Sequence, residues 1–246
     1  MSNWHIGCSG FHYKHWRGTF YPEKLAIKNW FGYYAEHFDT LELNVTFYRF
    51  PRVPMLQKWY EASTPRFRFA VKAPRVITHL KKFNDTERMM EDFYRTVQEG
   101  LKEKCGCCLF QLPPILRYTP ERLEKILGSL DRSFPNVLEF RHESWWDPAV
   151  ISELKNRNVG FCGMSHPDLP AEMVTDTPLF YYRFHGKDQL YASRYSQEEL
   201  QSFAEELRKS TSIQEAYIFF NNDIHTHAIY NAQELVRDLG FPIDKK

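Results

Sequence analysis

Residues 138–146, LEFRHESWW, place Glu139, Arg141, His142 and Glu143 directly after an apolar run. A carboxylate two residues from a guanidinium can hold or move a proton, and it can grip an anionic or hydroxyl-rich ligand. Such groups go inside only with partners, because an unpaired buried charge is costly. Comparable groups close other apolar runs in the chain. Glu42, Asn44 and Tyr48 lie in one, Lys72 follows Phe69 to Val71, Gln111 follows Leu109 and Phe110, Arg183 and His185 end another, and Asn221 and Asp223 follow Phe219 and Phe220.

The apolar runs number eight: residues 4–10, 40–48, 67–73, 107–112, 137–141, 159–165, 179–185 and 217–222. Helical patterns separate most of them. Thr119-Pro120 and Asp147-Pro148 each read as a cap with proline at the first helical position. Ser196 with Glu199 reads as a capping box ahead of Leu200, Phe203, Ala204 and Leu207. The last helix, from about Thr226, should stop at Gly240 with Pro242 beyond. Between Pro167 and Pro178 the pattern is that of a loop.

Strands alternating with helices imply a parallel sheet, and 246 residues suit one α/β barrel. A doubly wound open sheet would usually show a G-x-G-x-x-G loop after its first strand, and the chain has none. We therefore expect a single-domain (β/α)8 TIM barrel over residues 1–246, its sixth helix short or missing, with ligands at the C-terminal ends of the strands. Strand alternation then sorts the polar residues. Glu42, Asn44, Thr46 and Tyr48 share one parity, opposite to Leu41, Leu43, Val45 and Phe47. The same rule turns Arg68, Lys72, Gln111, Glu139, Arg141, Arg183, His185, Asn221 and Asp223 inward, while His142 has the opposite parity. A purely structural ion network is the competing account, but desolvation makes such networks weak stabilisers.

The bulk numbers exclude little else. A net charge of +1 gives no global basic field for nucleic acid or an anionic membrane. No apolar run approaches the roughly 20 residues of a membrane helix. The first residues lack the charged and apolar regions of a signal peptide, so a cytoplasmic protein with five reduced cysteines is expected. Cys105, Cys107 and Cys108 read as core thiols rather than a redox or metal site. Residues 10–22, GFHYKHWRGTFYP, read equally as a stacking surface with cations or as a local aromatic core. Glu42, Glu139, His185 and Asp223 could together hold a hard metal. Lys72, Arg141 and Arg183 beside them oppose it, and neither metal nor cofactor is expected.

The segments GCSGFHYKHWRGTFYP, FDTLELNVTFYRFP, FAVKAP with Ile77-Thr78-His79, LFQLPP, LEFRHESWW, YYRFHG and FFNND with Asn231-Ala232 together resemble the YecE-like family, domain of unknown function 72. The resemblance runs nearly end to end and implies a TIM barrel. On its motif positions fall Glu42, Asn44, Tyr48, Lys72, Gln111, Glu139, Arg141, His142, Trp145, Arg183, His185, Gly186, Asn221, Asn222, Asp223 and Asn231. Phe11 departs from the pattern, which usually has tryptophan there.

The leading functional expectation is an enzyme, a hydrolase or isomerase, acting on a small phosphorylated or polyhydroxylated metabolite. Glu139, Glu42, His185 and Lys72 are the candidate catalytic residues. Arg141, Arg183, Asn44, Tyr48, Gln111, Asn221, Asp223, Trp145 and Tyr191 are the candidates for substrate binding. A nucleic-acid-binding or processing barrel is the second expectation and a non-catalytic binder the third. No membrane partner is expected.

Overall fold

A computed structural model describes residues 3–239. Eight parallel strands form one sheet in the order β1-β8-β7-β6-β5-β4-β3-β2, and with the helices between them they make a TIM-like α/β barrel. In chain order the elements are β1 (Asn3–Cys8), α1 (Trp30–Ala35), β2 (Thr40–Leu43), α2 (Val45–Tyr48), α3 (Val53–Ala62), β3 (Arg68–Lys72), α4 (Glu87–Leu101), β4 (Cys105–Gln111), α5 (Pro120–Ser129), β5 (Asn136–Glu139), α6 (Pro148–Asn156), β6 (Val159–Ser165), β7 (Leu179–Phe184), α7 (Gln197–Lys209), β8 (Glu215–Phe220) and α8 (His227–Asp238). Among the described residues none between β6 and β7 is helical, as expected of that unit. Gly240 and Pro242 lie outside the described residues.

Contacts divide the chain into two compact units, the described parts of Met1–Leu41 with Gly163–Lys246, and Glu42–Cys162. In the first, β1 pairs with β8 and β8 with β7 over six residue pairs each. In the second, β4 pairs with β3 and β5. Both parities of these strands are buried: Leu138, Glu139 and Phe140 are all fully covered. That is the signature of parallel strands covered on two faces. Burial alone therefore does not sort the side chains of β5.

The helix starts follow their sequence signals. Thr119 accepts from the Arg122 N–H at 3.2 Å, Asp147 accepts from the Ala149 N–H at 2.8 Å, and Ser196 with Glu199 closes the capping box. Each satisfies main-chain donors that the first helical turn leaves open.

The second strand departs from expectation. It ends at Leu43, not Tyr48, because residues 45–48 turn into the short helix α2. The Thr46 hydroxyl donates to the main-chain oxygens of Leu43 and Lys72 at 2.7 and 2.6 Å, which ties that helix to β3. Strand alternation therefore does not reach Tyr48, and its side chain is 71% exposed. Strand β1 likewise ends at Cys8, since Gly10 takes φ +95°, a left-handed turn that favours glycine.

In the second unit α4 crosses α3 with Gly100 against Leu56. A Cβ at Gly100 would fall 2.5 Å from the Leu56 Cβ. Alanine is the better helix former by about 1 kcal/mol, yet Gly100→Ala should destabilise the protein by roughly 1–3 kcal/mol through overpacking. A urea midpoint that rises in this variant would contradict the close approach.

Candidate functional site

The side chains of LEFRHESWW are sorted by where β5 stops. Glu139 is its last residue, and Leu112 donates its N–H to the Glu139 main-chain oxygen at 2.8 Å, holding that end against β4. The Glu139 carboxylate is fully buried. Arg141 Nε donates to its Oε1 at 2.6 Å, and Nη2 of the same guanidinium converges on that oxygen. Next, His142 caps a single turn, its Nδ1 accepting from the Ser144 N–H at 3.1 Å. Trp145 is fully buried. It stacks on Phe140 at 4.3 Å and 10° and donates its indole N–H to the Leu116 oxygen at 2.6 Å. The expectation that Trp145 closes over a substrate meets a ring whose faces and N–H are already engaged in packing.

Strand β3 brings the next group. Lys72, its last residue, is buried, with Nζ 4.4 Å from the centre of the Phe47 ring. Across the same ring, at 5.0 Å and edge-on, lies His79. His79 is carried by residues Val76–Leu80, a single π-helical turn after Pro74 in which Lys81 donates its N–H to the Val76 oxygen at 2.9 Å. Such turns add one residue to the helical ladder and are frequent at functional sites. The Thr78 hydroxyl lies 2.9 Å from His79 Nδ1. Burial pushes His79 down to about 4; Lys72, Arg141 and Arg75 push the same way, and Glu139 alone among these opposes. At neutral pH the imidazole is uncharged and can accept a proton.

The same unit carries Glu42, fully buried in β2, and Gln111, half-buried at the end of β4 opposite Glu139. Asn44 follows β2, its Oδ1 buried with no hydrogen-bond partner among the described residues. His79 stands in a quoted motif, but its residue type and position alone assigned it no role. A π turn has no sequence period to announce it.

In the other unit the polar residues gather at the ends of β7, β8 and β1. Arg183 is buried, its Nη2 3.5 Å from the Ser9 hydroxyl. Asn221 Nδ2 lies 3.1 Å from His185 Nδ1. Tyr191 has φ +63°, donates its N–H to the His185 oxygen at 2.6 Å and sets its ring edge-on to the His185 ring. The carboxylate of Asp223 accepts from Trp16 Nε1 at 2.6 Å and meets His15 Nε2 at 2.8 Å. Burial pushes Asp223 up to about 6, against the pull of Trp16 and His15. His15 and Trp16 entered the sequence reading only as part of the 10–22 loop, since no spacing rule links residue 15 to residue 223.

The long first loop resolves toward packing. Trp16, Tyr21, Trp30 and Tyr34 are buried, with Tyr21 stacked on Trp30 at 4.7 Å and 9°. Lys14, His15 and Arg17 remain exposed beside them. Cys107 and Cys108 are fully buried, and burial pushes the Cys108 thiol up, so they are core thiols.

The family model described as "Protein of unknown function DUF72" matches residues 5–245. The chain belongs to the DUF72 family. It is 24% identical over 251 residues to UPF0759 protein YunF of Bacillus subtilis, covering 89% of each chain. To UPF0759 protein YecE of Escherichia coli K12 it is 25% identical over 234 residues, covering 84% of this chain and 82% of that one. The crystal structure of a DUF72 family protein from Thermotoga maritima superposes with a TM-score of 0.87 at 29% identity, covering 96% of this chain and 99% of that one. A second DUF72 structure, from Enterococcus faecalis, gives a TM-score of 0.82 at 20% identity over 97% and 96% of the chains, and so shares the fold. No described helix of this DUF72 chain is long and apolar enough to cross a membrane.

The two shifted groups of this DUF72 protein act oppositely on stability. For His79 the folded value, about 4, lies below the ordinary 6.5, so its contribution is lost as pH falls from 6.5 through 4. For Asp223 the folded value, about 6, lies above 3.8, so its contribution is full below 3.8 and lost as pH rises through 6. Thermal unfolding at pH 7 and pH 4.5 should therefore show a smaller acid loss in His79→Gln and a larger one in Asp223→Asn than in the parent protein. Equal acid losses in all three proteins would remove both assignments.

Proposed function

We propose that this protein is an enzyme that binds a small polar metabolite, anionic through phosphate or rich in hydroxyls, at the strand ends that carry Glu139, Lys72 and His79. The observation that carries the reading is a buried Lys72 whose Nζ lies 4.4 Å from the Phe47 ring that His79 also meets, with Arg141 and Arg75 near enough to act on the imidazole against Glu139. Cations gathered beside an uncharged imidazole favour an anionic ligand, because each gains more from an incoming anion than from water. Lys72 and Arg141 are the ligand's cationic contacts. The Asn44 oxygen is an acceptor for one of its hydroxyls, since a buried acceptor without a partner gains a full hydrogen bond from a ligand.

Proton transfer falls to the buried carboxylates Glu139 and Glu42 and to His79, all within Glu42–Cys162. A carboxylate fixed by Arg141 and an uncharged imidazole are the kinds of group that general acid–base chemistry uses. Hydrolysis and isomerisation both fit such a set. The role expected of His185 stays with its own strand end, where Asn221 meets its ring. The aromatic rings of the first loop are engaged in packing, which favours a small ligand over stacked bases. A cytoplasmic setting suits the five free thiols, four of them buried.

The test follows His79 by NMR in the full-length protein. In the free protein its imidazole should titrate near 4. Adding inorganic phosphate or a sugar phosphate should raise that value, because a bound anion favours the imidazolium. Lys72→Met should raise it without any ligand and weaken phosphate binding about 10-fold, the lower end of what a charged hydrogen bond contributes. If millimolar phosphate and sugar phosphates leave every His79 signal unmoved, the anion-binding reading fails.

A further inference from the structure

Outside the Glu139 cluster, a second arrangement in the chain has the geometry of proton-transfer chemistry. His15 sits in the short turn Lys14–Trp16 of the first loop. Its Nε2 lies 2.8 Å from the Asp223 main-chain oxygen and 2.8 Å from Asp223 Oδ2. A carbonyl oxygen only accepts, so Nε2 carries the hydrogen. In the neutral ring the lone pair then belongs to Nδ1. Among the described residues Nδ1 has no hydrogen-bond partner, and the side chain is 43% exposed. A proton-accepting nitrogen is thus held toward solvent.

Asp223 is built to hold that orientation. Its side chain is 10% exposed. Oδ1 accepts from Trp16 Nε1 at 2.6 Å, and the main-chain oxygen also accepts from the Thr226 N–H at 3.0 Å. Cys8 and Tyr21, both buried, are close enough to feel its charge. Anchoring the loop to β8 would not need His15, because the buried Trp16 already supplies that link with a shorter hydrogen bond. An imidazole nearly half exposed adds little to anchorage. What it adds is a nitrogen fixed in one tautomer.

We propose that His15 and Asp223 form an acid–base dyad, in which His15 exchanges a proton through Nδ1 with a ligand hydroxyl or a water, and Asp223 is the positioning residue. In the forward step the O–H proton moves to Nδ1 and its electron pair stays on the oxygen. The imidazolium so formed keeps its Nε2–H on the Asp223 carboxylate, and the proton returns from Nδ1 to a leaving oxygen or to solvent. The dyad lies wholly in the unit of Met1–Leu41 and Gly163–Lys246. It stands or falls independently of phosphate binding near His79.

Two measurements on the full-length protein test it. Long-range proton–nitrogen NMR of the neutral imidazole should show the Nε2–H tautomer of His15 exceeding the other by about 10-fold, since the other tautomer gives up the donation from Nε2 to the Asp223 carboxylate and main-chain oxygen. Diethyl pyrocarbonate, mapped by peptide mass spectrometry, should modify His15 faster than the exposed His12 and His225. In Asp223→Asn that advantage should shrink by at least about 3-fold, because the carboxylate no longer stabilises positive charge on the ring, while His12 and His225 keep their rates. The tautomer measurement needs no variant, so a folding defect in Asp223→Asn leaves it decisive. A predominant Nδ1–H tautomer overturns the dyad, and so does a His15 rate no greater than that of His12.

Discussion

The cost of taking a carboxylate out of water governs how the strand ends of this protein are arranged. Glu139 is fully buried at the end of β5. The penalty for such a charge is several kcal/mol even after relaxation. It is offset by a guanidinium only two residues along the same chain, which brings Nε and Nη2 onto one oxygen. Residues 139 and 141 share one parity of the extended chain, which sets the guanidinium on the same side as the carboxylate, and β5 ends at Glu139. The rest of the local structure follows from this stop. His142 begins a turn, Trp145 packs on Phe140, and the turn leads into the Asp147 cap of α6.

A second carboxylate meets the same cost with a different solution. Asp223, after β8, has a buried indole and a half-exposed imidazole in place of a guanidinium, and burial accordingly raises its proton affinity. The contrast is chemical as well as energetic. Asp223, held by an indole and an imidazole, lies close to exchanging its proton at mildly acidic pH. One fold thus carries two buried carboxylates with different partners, a guanidinium for Glu139 and an indole with an imidazole for Asp223.

The architecture was legible in the sequence because its signals are local. Proline after Thr119 and Asp147, the Ser196–Glu199 box and the eight apolar runs each act over a few residues, and the corresponding elements are present. The clustering of Glu139 with Arg141 was legible for the same reason. Strand ends were less so, because Thr46 terminates β2 through a hydrogen bond to Lys72, a residue 26 positions away. Trp145 looked like a ligand-facing ring, and the 10–22 loop read equally as stacking surface or core, because aromatic type does not reveal which face is covered. The pairing of His15 with Asp223 spans 208 positions and leaves no trace in spacing. His79 was visible as a letter, and its role depends on the backbone that carries it.

That backbone has an implication for how the chain tolerates change. A π turn is an ordinary helical turn with one residue inserted, so the segment Val76–Leu80 could lose a residue and close as a regular turn with its ends still joined. Each residue of an α-helix advances by about 100° around the axis, so the shortened turn would swing residue 79 away from Phe47 and Lys72 while leaving the fold connected. The length of this turn, as much as the identity of residue 79, therefore sets where the imidazole stands.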